Sequence, residues 1–175
     1  VEAYARTYDM SAIITRCTNN YGPYQFPEKL IPKTILRARV GLKIPIYGAG
    51  QNIRDWIYVM DHCRAVEQVL MKGCPGRIYN ISALEEKTNL QVVAAILEML
   101  GKDEGQIEYV EDRPGHDVRY SLDSSRIRDE LGWRPRESFS EGIRRTVDWY
   151  LQNEDWWSPL LDEKVLAHTP WKLKW

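Results

Sequence analysis

The sequence lacks two signatures of dinucleotide-dependent oxidoreductases. No glycine-rich fingerprint follows an apolar strand, and no tyrosine is followed by a lysine four positions later in the 175 residues. A complete dinucleotide site and a Tyr-x-x-x-Lys proton-transfer pair are therefore excluded from this stretch of sequence. The chain begins with valine, and Val1, Tyr4, Ala5 and Tyr8 follow one face of a helix without an N-cap signal. We therefore expect the carboxyl-terminal part of a longer protein.

Other scarcities limit the class of protein. The three cysteines, Cys17, Cys63 and Cys74, are an odd number without metal-ligand spacing, so neither a disulfide framework nor a zinc site is favoured. Their usage fits a reducing cytoplasm. No apolar run is long enough to cross a bilayer. Because 24 basic residues nearly balance 25 acidic ones, bulk charge favours neither a nucleic-acid nor a membrane partner.

What the sequence does contain is an alternation of strand and helix patterns. A buried parallel strand is expected at residues 12–18, and further strands at 44–47, 53–59, 77–82 and 107–110, the last at a sheet edge. Helices are expected from Leu30 to Gly41 and from Ser124 to Leu131. The alternation predicts an α/β fold, in which the many short elements after residue 22 suggest a second, smaller unit.

Three other helices are predicted from caps and apolar spacing. Asp61 is expected to cap a helix whose apolar face carries Val66, Val69 and Leu70. Thr88 and Gln91 form a capping-box pattern for a helix that runs through Leu100. The final amphipathic helix carries Ile143, Val147, Tyr150 and Leu151.

The most informative stretch runs from Asn19 to Pro32, where amides, turn residues, three aromatic rings and an ion pair separate a strand from a helix. Amides that directly follow a strand lie at the carboxyl edge of a sheet, where open α/β folds hold ligands. We therefore expect a binding loop. An ordinary turn would account for Asn20, Gly22 and Pro23 alone.

The same stretch closely resembles the segment that follows the catalytic tyrosine and lysine in dTDP-glucose 4,6-dehydratases, of the extended short-chain dehydrogenase/reductase superfamily. Further matches follow in the same order: Pro45-Ile46-Tyr47-Gly48, residues 51–62, Tyr79-Asn80-Ile81, residues 112–117, and Glu130-Leu131-Gly132-Trp133. The resemblance covers about residues 1–155, and only the tail departs from it.

This resemblance implies the last strands and helices of a Rossmann-type parallel sheet plus a smaller mixed α/β substrate-binding lobe. Residues 1–22 would end the NAD-binding domain, residues 23–155 would form mainly the lobe with some segments returning to the sheet, and residues 156–175 are a tryptophan-rich, unassigned tail. The family removes hydride from C4 of dTDP-glucose with NAD, eliminates water across C5 and C6, and returns hydride to C6. The groups that transfer protons would precede Val1, so this stretch alone would be inactive. The resemblance also implies that the full-length enzyme is a homodimer.

Two arginines are candidates for the diphosphate, because guanidinium groups bind phosphate oxygens bidentately. Arg54 lies in a strand whose neighbours should be buried, where an anion would offset its desolvation; an internal pair with Asp55 or Asp61 is equally compatible. Arg113 precedes a Pro-Gly turn and would otherwise be a solvated loop residue. The resemblance favours phosphate for both, and it adds His116, which would otherwise be structural or exposed.

The remaining site residues depend more heavily on the resemblance. Pro45 and Tyr47 face the same side of a strand and would support the thymine ring, although core packing is the default for such a pair. The resemblance also implies substrate contacts for Asn19, Lys29, Leu30 and Asn89, and a contact between Asn20 and the nicotinamide part of NAD. Lys29 would otherwise be an exposed lysine, and Asn89 a simple cap residue.

Two alternatives remain at this point. An epimerase or UDP-sugar decarboxylase of the same superfamily shares several of these motifs, but the continuation from Phe26 to Pro32 favours the dehydratases. A non-catalytic module that retains only the lobe belongs to a different class. The tail, with Trp156, Trp157, Trp171 and Trp175, is hypothesised to be a dimer contact or a cover over the lobe.

Overall fold

The computed structural model describes residues 1–161, 165–167, 169 and 172. Its helices are α1 (Glu2–Tyr8), α2 (Leu30–Arg39), α3 (Val59–Lys72), α4 (Asn89–Met99), α5 (Ser125–Leu131), α6 (Phe139–Gln152) and α7 (Glu154–Trp157). Its strands are β1 (Ile14–Cys17), β2 (Asn19–Tyr21), β3 (Ile44–Tyr47), β4 (Ile53–Tyr58), β5 (Ile78–Ile81), β6 (Glu86–Thr88), β7 (Ile107–Val110) and β8 (Arg119–Tyr120). Across these described residues, no helix has the length and apolar character of a membrane span.

Within the described part of the chain, the strands form three small sheets in which parallel pairing predominates. β1 pairs with β5, and β3 pairs with β7, both in parallel. The second half of β4 pairs in parallel with β2, whereas its first half pairs antiparallel with β6 and parallel with β8. Helices connect the parallel strands, as the geometry of parallel pairs requires. The predicted α/β class is therefore confirmed.

Local sequence signals account for several element boundaries. Thr88 caps α4 by accepting from the backbone N–H of Gln91, whose side chain accepts from the backbone N–H of Thr88. Ser138 and Glu141 form the same reciprocal box at the start of α6. Helix α5 ends at Leu131, and the next residue, Gly132, caps it with a φ of 69°, which is readily adopted only by glycine.

Among the residues that the structure describes, three apolar clusters hold the elements together. The largest lies among α2, α4, α6, β2 and β4, and it includes Tyr21, Ile35 and Ile143. A second cluster joins β5, α3 and α5 through residues such as Tyr79 and Ile127. A third places Ile44 and Ile46 of β3 against α2 and α4, in a cluster with Val93. This third cluster fixes the wall of the pocket described below.

Several sequence predictions need correction. Strand β1 is shorter than residues 12–18 and only partly buried, with Thr15 and Arg16 exposed. Helix α3 begins at Val59, so residue 61 lies in its first turn and is not its cap. On this helix Val66 and Leu70 are exposed, because the buried face instead carries residues 61, 65 and 69. Leu151 of α6 is likewise exposed.

The tail folds back onto the largest cluster. Trp157 is only 4% exposed, and its indole N–H donates to the carbonyl of Tyr150 at 2.8 Å. Trp156 is half-buried and makes an edge contact with the ring of Trp149, with centroids 5.1 Å apart. Trp171 and Trp175, as well as His168, lie outside the described residues.

Candidate functional site

A small pocket opens between α2, β3 and the start of α4. Its volume is about 100 Å³, and four predicted site residues line it: Leu30, Pro45, Tyr47 and Asn89. Pro45 and Tyr47 lie two positions apart in β3 and therefore face the same side. The remaining lining consists of Glu28, Lys33, Thr34, Ile44 and Ile46. This pocket, called the slot below, is thus lined by apolar side chains together with several polar ones.

The start of α4 is held against this slot by the backbone. The backbone N–H of Asn89 donates to the carbonyl of Asn52 at 3.1 Å, and that of Leu90 donates to Gly50 at 3.0 Å. Gly50 has a φ of 67°, and a Cβ there would lie 2.6 Å from a methyl carbon of Ile46, so a side chain is disfavoured by both conformation and space. The Asn89 amide is half-buried at the first position of the helix, where backbone N–H groups favour an anion.

Arg54 is buried in β4, and carbonyl oxygens hold its guanidinium group. It donates to its neighbour Ile53 at 2.7 Å and to the carbonyl of Asp117 at 3.0 Å, and the Asp117 carboxylate lies 4.0 Å away. Neither Asp55 nor Asp61 provides this ion pair. Asp55 accepts from Ser82 and from the backbone N–H of Glu85 instead, and Asp61 accepts from the side chain of Arg64 and the backbone N–H groups of Arg136 and Glu137.

The loop that follows β7 carries Arg113 and His116. The imidazole Nδ1 lies 2.6 Å from a carboxylate oxygen of Asp112, which also accepts from the backbone N–H of Arg113 at 2.8 Å. The hydrogen bond with His116 holds the pKa of Asp112 below its usual value. The imidazole ring is in turn 6.4 Å from the ring of Tyr47, centroid to centroid. The predicted loop residue His116 is therefore fixed by a carboxylate beside the pocket.

Charge interactions link Arg113 to both Tyr47 and Arg54. Burial raises the pKa of the Tyr47 hydroxyl, and the guanidinium groups of Arg113 and Arg37 partly reverse this increase. Burial also lowers the pKa of Arg54; the Asp117 carboxylate opposes that shift, and Arg113 adds to it. Arg113 is thus close to both Tyr47 and Arg54.

Other predicted site residues lie outside the pocket. Asn19 and Asn20 belong to β2 and not to a loop, because they pair with Trp56 and Ile57 of β4. The Asn20 amide donates to the sulfur of Cys17 at 3.2 Å, whereas its carbonyl oxygen is buried without a hydrogen-bond partner among the described residues. Lys29 is exposed at the N-cap of α2 and pairs with Glu28 at 2.6 Å.

Sequence reasoning missed three residues near the site. Asp112 and Asp117 hold His116 and Arg54, but each is an acidic residue in a loop, with no local signal of its partner. Lys33 lines the pocket and is only 6% exposed. Its signal was available, since Lys33 is a cation one helical turn after Leu30, on the apolar side of α2.

Comparison with known proteins identifies the family. A family model described as GDP-mannose 4,6 dehydratase matches residues 1–146. A dTDP-glucose 4,6-dehydratase of Escherichia coli is 49% identical over 173 residues, which are 93% of this chain and 48% of the relative. The chain therefore spans about half the length of the curated relatives that it matches.

Two solved structures extend the comparison. A dTDP-glucose 4,6-dehydratase from Streptomyces venezuelae, with NAD and a second ligand bound, is 49% identical with a TM-score of 0.89, over 91% of this chain and 50% of that one. A UDP-glucose 4-epimerase from Thermotoga maritima, with UDP-glucose, is 30% identical with a TM-score of 0.82, over 86% of this chain and 49% of that one. Since the family model covers most of its length, this chain belongs to the GDP-mannose 4,6 dehydratase family.

Proposed function

We propose that this chain is the substrate-binding, carboxyl-terminal part of an NAD-dependent dTDP-glucose 4,6-dehydratase. The complete enzyme would convert dTDP-glucose to dTDP-4-keto-6-deoxyglucose in deoxysugar biosynthesis, as a cytoplasmic homodimer. Residues 1–22 would end its NAD-binding domain, residues 23–155 would provide mainly the sugar-nucleotide lobe, and residues 156–175 would form its tail. The catalytic tyrosine, lysine and Asp/Glu pair would precede Val1, and the present chain alone would lack activity.

The observation that carries the proposal is the slot between α2, β3 and α4, whose lining includes four of the predicted substrate residues, Leu30, Pro45, Tyr47 and Asn89. Pro45 and Tyr47 provide a flat apolar wall for a pyrimidine ring. Arg113 lowers the pKa of both Tyr47 and Arg54. The two arginines would bind the diphosphate, together with the Asn89 amide at the start of α4. His116, fixed by Asp112, would close the cleft beside the nucleotide.

The sugar and the cofactor would lie toward β2. Asn19 would contact the hexose, and Lys29 and Leu30 would contact the substrate at the start of α2. NAD supplies hydride transfer when it is bound. The side-chain oxygen of Asn20 is buried and lacks a partner among the described residues, so it offers an acceptor to the carboxamide of NAD. The site thus requires groups from the preceding sequence before turnover is possible.

The nucleotide base distinguishes this proposal from an epimerase or decarboxylase that uses UDP-sugars. We expect dTDP-glucose at about 100 times its Kd to raise the free energy of unfolding of the complete protein by about 2.7 kcal/mol. Thermal unfolding with dTDP-glucose and with UDP-glucose measures this preference, and stronger stabilisation by UDP-glucose would reject the dehydratase.

The Arg54→Met variant should bind dTDP-glucose about ten- to hundredfold more weakly, because it loses charge-assisted hydrogen bonds. The exposed Arg144→Met variant serves as its control.

The similarity to the Thermotoga maritima epimerase keeps a second enzyme class under consideration. A non-catalytic module is tested more simply by reading the coding sequence before Val1. A glycine-rich fingerprint and a Tyr-x-x-x-Lys pair in frame would support the enzyme, whereas a start codon adjacent to Val1 would support the module.

A further inference from the structure

Lys33 is an unusual occupant of the apolar slot. It lies on α2 within the pocket lining, beside Leu30 and opposite the wall formed by Pro45 and Tyr47. Its residue is 6% exposed. Removing an ammonium group from water costs several kcal/mol unless acceptors replace the lost hydration. The position of Lys33 therefore requires an account of its hydrogen-bond acceptors.

The described residues provide this ammonium with a single acceptor. Lys33 Nζ donates to the carbonyl of Ala167 in the tail, at 3.1 Å. An ammonium carries three N–H donors, so two donors remain without an acceptor among the described residues. Two of the other polar lining groups have partners of their own: the Thr34 hydroxyl donates to its own helix at Leu30, and the Glu28 carboxylate pairs with Lys29 at 2.6 Å.

We propose that Lys33 selects a pyrimidine base by donating a hydrogen bond from its ammonium group to a ring carbonyl oxygen. This inference rests on the proposed function of the slot. A pyrimidine presents a flat apolar face to Pro45 and Tyr47 and places neutral carbonyl acceptors at its edge. A phosphate oxygen is the less suitable partner, because Lys33 lines the slot with Ile44, Pro45 and Ile46, whereas the proposed diphosphate ligands Arg54 and Arg113 lie outside this lining. The tail carbonyl of Ala167 holds the ammonium in position.

The charge of Lys33 is sensitive to its surroundings. Burial lowers the pKa of Lys33 to about 8; Arg37, one turn along α2, adds to this decrease, and Glu28 opposes it. These two are the charged groups among the described residues that act on it. A carbonyl acceptor from the ligand would favour the ammonium form. Affinity for the base should therefore fall as the pH rises above about 8.

The test compares three ligands on the complete protein by calorimetric titration: thymidine diphosphate, thymidine and inorganic pyrophosphate. The Lys33→Met variant keeps the length and apolar character of the stem and removes the donor. We expect it to bind thymidine diphosphate and thymidine about ten- to hundredfold more weakly, with pyrophosphate affinity unchanged. Lys72→Met, at the exposed end of α3, is the matched control and should change none of the three.

The outcomes separate the inference from the function on which it rests. Equal thymidine affinity in the wild type and the Lys33→Met variant would overturn the inference alone, and so would an equal loss for pyrophosphate. A wild-type protein that fails to bind thymidine diphosphate would overturn the proposed function as well. Should the variant fold poorly, the wild type still provides a test: thymidine affinity that stays constant from about pH 7 to about pH 9 contradicts a donating ammonium.

Discussion

At the residue scale, the burial of Lys33 sets two contributions to the free energy against each other. The desolvated ammonium beside Arg37 destabilises the folded state, which is why its pKa falls to about 8 from an ordinary 10.5. Its hydrogen bond to Ala167 recovers only part of that cost. A residue that weakens the fold is more readily explained by a ligand than by packing, since an apolar side chain of similar length would fit the same slot.

This balance predicts the effect of pH on stability. Between pH 8 and 10.5 the unfolded chain holds the Lys33 proton and the folded chain releases it, so the free energy of unfolding rises with pH across this window. The Lys33→Met variant should lose that increase, and at pH 7 it should be more stable than the wild type by on the order of 1 kcal/mol. Urea unfolding at about pH 7 and about pH 10 measures both effects. A variant less stable at pH 7 would mean that the contact with Ala167 outweighs the desolvation.

Arg54 shows the same conflict with a different resolution. Burial lowers its pKa, but an arginine remains charged throughout the physiological range. Two backbone carbonyls and the carboxylate of Asp117 surround it, and the carboxylate is 4.0 Å away and largely exposed. The guanidinium is therefore positioned by neutral acceptors and is only weakly neutralised. Its positive charge remains available to an anionic ligand.

At the element scale, α4 combines a structural cap with a position in the pocket. Its capping box satisfies backbone donors at the helix start, next to the Asn89 amide that lines the slot. Helix α6 begins with the same arrangement at Ser138 and Glu141, and neither of these residues lines the slot. The two helices therefore offer a comparison in which the local chemistry is equal and the distance from the proposed ligand differs.

We expect Thr88→Ala and Ser138→Ala each to lower the free energy of unfolding by about 1 kcal/mol, because each removes an N-cap hydrogen bond. Only Thr88→Ala should also weaken the binding of thymidine diphosphate, by about two- to fivefold, because the first turn of α4 at the pocket becomes disordered. Urea titrations and ligand calorimetry on both variants measure this difference. Equal losses of affinity would show that general destabilisation, and not the geometry of α4, controls binding.

The elements that sequence predicted well are those with local signals. The strand at residues 44–47, the capping box of α4 and the stop at Gly132 depend on neighbouring residues and agree with the structure. Strands β2, β6 and β8 were not predicted, because each is two or three residues long and depends on pairing with β4, which is distant in sequence. The buried face of α3 differs from the predicted one because it includes Asp61. This carboxylate is buried where it accepts from the backbone N–H groups of Arg136 and Glu137, which come much later in the sequence.

The candidate site divides in the same way. The lining by Leu30, Pro45, Tyr47 and Asn89 was predicted only through the family resemblance, because spacing alone was equally consistent with core packing. The carboxylate that orients His116 and the backbone carbonyl that binds Arg54 come from a loop whose conformation no local pattern specifies. Sequence thus indicated the binding groups, and the structure supplied the groups that position them.

At the scale of the whole molecule, the sheet of β1 and β5 is less complete than the part of the fold around the slot. Among the described residues, β1 pairs only with β5, and the helix α1 beside it buries no residue. A two-stranded sheet is marginal by itself. The slot, in contrast, is enclosed by the third cluster and rests on the largest one. This asymmetry supports the proposal that further strands of a Rossmann sheet belong to the complete enzyme.

The tail connects the largest cluster to the slot. Arg39 pairs with Glu154 at 2.5 Å and lies over the ring of Trp157, 5.5 Å from its centroid. Farther along, the carbonyl groups of Leu166 and Ala167 accept from Arg37 and Lys33. These contacts with α2 favour a cover over the lobe, one of the two hypotheses for the tail, because a dimer contact would leave Trp157 exposed in the single chain.

The final prediction separates the two tail tryptophans. Trp157→Ala should lower the free energy of unfolding by about 3–5 kcal/mol, since it empties a buried site and leaves the carbonyl of Tyr150 without its indole donor. Trp156→Ala removes contacts with Trp149 and Tyr24 at a half-buried position and should cost on the order of 1 kcal/mol. Urea unfolding ranks the variants, and light scattering gives their oligomeric mass. An unchanged mass with this ranking fits a tail that completes the core, whereas dissociation with little loss of stability would identify the tail as a subunit contact.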